Sequence, residues 1–85
     1  MNPIGEFVRV TFRVRCETRL GQSVSVNGST FSMGSMNLKN IIPLYTTPES
    51  YPIWYTLQPI LIPREELLPP NYVTYRFCIT EGQYK

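Results

Sequence analysis

Apolar and polar positions alternate with a period of two along much of the 85-residue chain. Over residues 7–16, Val8, Val10, Phe12, Val14 and Cys16 take one parity, and Arg9, Thr11, Arg13 and Arg15 the other, which predicts a half-buried strand. Residues 23–27 repeat the pattern, with Val24 and Val26 inward and Ser23, Ser25 and Asn27 outward, and Gly28 ends the run. Residues 72–79 predict a further strand: Val73, Tyr75, Phe77 and Ile79 share one face, and Tyr72, Thr74, Arg76 and Cys78 the other.

Shorter signals fill the space between these strands. Residues 41–45 read as a short strand, residues 46–50 carry Thr, Pro, Glu and Ser turn chemistry, and residues 53–57 are rich in β-formers that set Trp54 and Tyr55 on opposite faces. Trp54 is the single tryptophan, and its large apolar area predicts a core anchor packed against Val10, Phe12 and Phe77. Residues 18–22 form a turn, and residues 29–37 a polar loop without period. Residues 59–63 are too short and too proline-bound for a helix, and residues 64–68 fit one helical turn stopped by Pro69 and Pro70. Short alternating strands and eight prolines predict an all-β fold, an antiparallel sandwich with no helix longer than one or two turns.

Composition narrows the function classes. The chain is one domain at the small end of what a single core stabilises, and 42% hydrophobic residues suffice to fold it. Its longest aliphatic run is Ile60, Leu61 and Ile62, so no segment reads as a membrane span or signal peptide, and a soluble, cytoplasmic module is expected. Residues 1–7 read as a cloning-derived leader, and residues 8–85 as the folded module. A net charge of +2 gives no argument for nucleic acid. Arg9, Arg13 and Arg15 share one strand face, which is either solvated or a basic docking face. Cys16 and Cys78 lack metal-ligand spacing and stand as free thiols or one disulfide.

With no His and no Asp, the chain builds neither a Ser-His-Asp triad nor a His-ligated zinc site. Glu65 and Glu66 are adjacent and do not face each other across a cleft as a glycosidase pair must. Neither an enzyme confined to these residues nor a bound cofactor is therefore expected. Asn27, Gly28 and Ser29 fit the N-glycosylation pattern, which matters only in a secreted protein.

The order of VRVTF (8–12), GQSVSVNGS (21–29), MGSMN (33–37), IPL (42–44), PIWY (52–55) and TYRF (74–77) resembles the starch-binding domain, the family-20 carbohydrate-binding module. No single segment is strongly specific; the order and spacing carry the resemblance, over nearly the whole chain after residue 7. It implies an antiparallel immunoglobulin-like β-sandwich that binds α-1,4-glucan (starch, glycogen, amylopectin or cyclodextrin) as an accessory module of a larger carbohydrate-active protein.

In that family one sugar site stacks glucose rings on exposed tryptophans beside a lysine. The first tryptophan falls on Met36, the residue after it on Asn37, and the lysine on Arg76. Met36 departs from the pattern, because a thioether contacts a sugar face without offering a planar ring. Arg76 keeps the charge with a different donor geometry. The second tryptophan and the last strands would fall beyond Lys85, which implies a sandwich short of its last strands and an exposed edge open to self-association. A second sugar site built on tyrosines implies Tyr45 or Tyr51, with Ser25 at a ringless position. The alternative is a degenerate sandwich that serves as a protein-interaction or structural domain.

Overall fold

The computed structural model describes residues 6–67 and 73–81 of the chain. Its strands are β1 (Phe7–Val10), β2 (Arg13–Arg15), β3 (Gln22–Gly28), β4 (Ile42–Pro43), β5 (Ile53–Tyr55), β6 (Ile60–Pro63) and β7 (Tyr75–Glu81). Every ladder is antiparallel. One layer has the order β4-β3-β7; the strands opposite it pair as β1 with β6 and β2 with β5, and Tyr45 bridges to Tyr55. Val24 and Val26 of β3 pack against Phe12, Trp54 and Ile62 from the opposite strands, with Met33 and Leu44 completing the core. The protein is an all-β, antiparallel fold, and among the described residues its helical segments are single 3₁₀ turns at Phe31–Met33, Leu38–Asn40 and Arg64–Glu66.

Residues 7–16 do not form one strand. Phe12 gives its backbone to Thr56 on both sides: its N–H donates to Thr56 Oγ1 at 3.1 Å, and its carbonyl accepts from Thr56 N at 3.1 Å. The chain thereby changes partner, from β6 before Phe12 to β5 after it. Inward parity survives the break, so Arg9, Arg13 and Arg15 all remain exposed. Residues 60–63, whose prolines argued only against a helix, form the strand that pairs with β1.

Trp54 is 6% exposed, and its indole Nε1–H donates to Cys16 O at 3.0 Å, so the polar end of the buried ring is satisfied. Phe12 shares its cluster and Val10 packs against that cluster. Phe77 differs from expectation. It is 37% exposed and sets its ring edge-on to Phe12 at 6.0 Å and to Tyr75 at 5.7 Å. Registers Val24↔Ile79 and Val26↔Phe77 aim the apolar face of β7 toward the core side, yet Tyr75 and Ile79 stay more than half exposed. Beneath Tyr75 and Phe77 runs an open groove of about 470 Å³, floored by Val10, Phe12, Met33 and Ile62.

Val24 and Val26 are buried as their parity predicts, but so are Ser25 and Asn27 on the other face. Ser25 is flanked by Pro43 and Cys78, and Asn27 is covered by the loop that follows β3. Cys16 and Cys78 are free, half-buried thiols. Among the described residues no helix is long and apolar enough to cross a membrane. Residues 1–5 of the expected leader, the Pro69 and Pro70 stop, Tyr72 and Lys85 lie outside the described residues.

Removing the Trp54 ring would empty the centre of this core and orphan the Cys16 carbonyl. Trp54→Ala is expected to cost about 3–5 kcal/mol, a large share of the stability of so small a domain. Urea unfolding followed by far-ultraviolet circular dichroism measures it, and an unshifted midpoint refutes the core assignment.

Candidate functional site

The loop after β3 is built from the inside outward. Met33 ends the 3₁₀ turn Phe31–Met33 and is 1% exposed, which pins the loop to the core. Thr30 caps the turn, its Oγ1 accepting from Met33 N at 3.2 Å. Gly34 follows with φ 96°, a left-handed conformation in which a side chain would meet the Asn40 carbonyl and lie 2.6 Å from Asn27 Nδ2. Ser35 and Met36 continue with φ 53° and 59°, unfavourable for residues that carry a Cβ. Their backbone is held there by Ser35 N donating to Thr30 O at 2.9 Å and Met36 N to Gly28 O at 2.8 Å.

Asn27 closes the arrangement from beneath. Its side chain is fully buried, its Nδ2 donates to Met33 O at 3.1 Å and Asn37 O at 3.3 Å, and its Oδ1 accepts from Arg76 Nη2 at 3.5 Å. The glycosylation pattern at Asn27 therefore marks a packed amide, inaccessible to a glycan. Parity alone placed Asn27 outward; the loop folding back over β3 is what encloses it.

Arg76, opposite Asn27 across the β3–β7 ladder, also donates through Nη2 to Met36 O at 3.3 Å. Met36, Asn37 and Arg76, which the sequence assigned to one site, are thus physically joined. Met36 is half-buried, while Asn37 and Arg76 are exposed. Asn37 Oδ1 is committed to capping the turn Leu38–Asn40 through Lys39 N at 2.9 Å, which leaves its amide N–H groups for a ligand. Arg76 spends Nη2 on the loop, and its remaining guanidinium N–H groups take no partner among the described residues.

Tyr45 and Tyr51 lie elsewhere. Tyr51 is 41% exposed, and its hydroxyl accepts from Thr18 N at 2.7 Å and donates to Thr18 O at 3.1 Å, tying the hairpin turn to the turn before β3. Leu20, wholly exposed, sits in that second turn. Tyr45, 43% exposed, borders an open cleft of about 280 Å³ with Pro43, Thr56 and Leu57. Thr18 precedes the first residue of β3 and Met36 is bonded to its last, so Tyr51 and Met36 are separated by the seven-residue strand, roughly 20 Å. Ser25, 3% exposed, presents nothing to a ligand.

The braced loop and Arg76 offer apolar side chains, an exposed guanidinium and amide donors on one surface. Parity along the sequence takes Asn27 for a solvent-facing residue and passes over Leu20 and Phe31, large apolar side chains that stand exposed in polar turns. Replacing Asn27 by Ala should leave Met33 O, Asn37 O and Arg76 short of partners, costing about 1–3 kcal/mol. Chemical denaturation should report that loss, and amide exchange should rise over residues 33–37; unchanged exchange there would refute the bracing role.

A comparison with curated proteins finds no match, and neither does one with solved structures. The model of the starch binding domain matches residues 7–84. That span takes in β1 through β7 and the whole Met36, Asn37 and Arg76 loop surface, and the chain belongs to the starch-binding domain family.

Proposed function

We propose that this chain binds α-1,4-glucan of the starch and glycogen type, without catalysis, as the accessory module of a larger carbohydrate-active protein. The observation that carries the reading is the Arg76 guanidinium, braced on Met36 O and Asn27 Oδ1 beside an apolar loop surface. Glucose rings have apolar faces and hydroxyl rims, so a ligand of this class needs an apolar platform with fixed polar groups at its edge. Met36 supplies contact and Asn37 and Arg76 supply donors. Tyr45 and Tyr51, exposed toward the other end of β3, are the candidates for a second contact region.

A planar ring at position 36 would add stacking area without entering the core. Met36→Trp should tighten binding of maltoheptaose or β-cyclodextrin by up to roughly tenfold, and Arg76→Ala should weaken it. Calorimetric titration measures both. If neither the wild type nor Met36→Trp binds any α-glucan, the sugar-binding reading fails and a protein-interaction role replaces it.

Among the described residues β7 pairs only with β3, so its outer edge and the exposed Tyr75, Phe77 and Ile79 side chains are open to a second copy. Self-association through this edge is expected on physical grounds. Sedimentation should show mass rising with concentration, and Ile79→Lys should suppress it; a concentration-independent monomer refutes it.

A further inference from the structure

Phe31 is 84% exposed, an unusual position for a large ring in a segment as tightly fixed as this one. Its turn is anchored through buried Met33, capped by Thr30, and closed by Gly34 N donating to Phe31 O at 3.1 Å. The ring therefore stands in water on a rigid base. A single exposed apolar residue needs no explanation. Here it is accompanied: Met36 and Leu38, the latter 63% exposed, arise from the same loop, and Arg76 is hydrogen-bonded to it. The 2.9 Å bond from Ser35 N to Thr30 O draws the two arms of the loop together, so Phe31 follows one end of that bond and Met36 the other.

We propose that Phe31 is the planar stacking surface of the glucan site, the role that the thioether of Met36 does not fill. The inference rests on the glucan-binding reading above. An α-glucan chain then lies along the loop, with one glucose ring against Phe31, the chain passing Met36, and hydroxyls reaching the free N–H groups of Arg76. The backbone beneath the ring is fixed before ligand arrives, so ordering on binding is confined to the side chain.

Two measurements test this. Calorimetric titration of the full chain with maltoheptaose should show Phe31→Ala binding roughly three- to tenfold more weakly than wild type, with Phe31→Tyr close to wild type and the melting temperature of both unchanged. Saturation transfer from maltoheptaose protons to the Phe31 ring, observed on the wild type, needs no variant. Wild-type affinity in Phe31→Ala together with no transfer to the ring overturns the role of Phe31, while weakened binding in Arg76→Ala would show the glucan reading still standing. Absence of any α-glucan binding by the wild type overturns both.

Discussion

Asn27 is a polar amide withdrawn entirely from water at the point where the chain leaves its central strand, and the surface above it depends on how that amide is satisfied. Both Nδ2 protons reach carbonyls of the returning loop, at Met33 and Asn37, and Oδ1 faces Arg76 from the neighbouring strand. An amide buried without such partners costs about 1–3 kcal/mol, so the loop is drawn into the one shape that supplies them. That shape brings the backbone so close at residue 34 that no side chain fits, which is why glycine stands there. It also forces Ser35 and Met36 into left-handed conformations that side-chain-bearing residues avoid.

Strain of this kind, about 1–3 kcal/mol for each such residue, persists only where neighbours over-determine the backbone. Here the neighbours are identifiable: Thr30 O holds Ser35, Gly28 O holds Met36 N, and Arg76 holds Met36 O. A loop backbone fixed in this way has little freedom left to lose, which lowers the ordering cost of any contact made on it. Packing below and the shape of the exposed surface above thus share one set of hydrogen bonds.

Alternation along the sequence was enough to place β3, β5 and most of β7, because Val24, Val26 and Trp54 each need burial and period two fixes which neighbours share it. It was silent where burial is achieved without a period. Met33 is a lone anchor in a polar loop, and nothing around it repeats. The break at Phe12 left no trace either, since inward parity continues while the partner strand changes. Ser25 and Asn27 were read as solvent-facing because parity distinguishes two faces of a strand but does not say that one of them is covered. Met36, Asn37 and Arg76 were legible only through resemblance to a family, because no pattern in the chain itself joins position 36 to position 76. The hydrogen bond that joins them is a product of the β3–β7 register, which sets Arg76 opposite Asn27.

That register also gives a physical reason for an arginine at position 76. A lysine ammonium is a compact point charge, and holding both Met36 O and Asn27 Oδ1 would turn most of its donors inward. The guanidinium divides the work: Nη2 closes the loop, while Nε and Nη1 stay in the same plane, fixed in direction by the bonds already made. The same atom that ties β7 to the loop therefore aims the remaining donors at whatever rests on the loop's apolar surface. A methionine at position 36 offers no planar ring but leaves this donor geometry intact. β7 thus fixes the direction of these donors, and the loop decides which side chains stand exposed beside them.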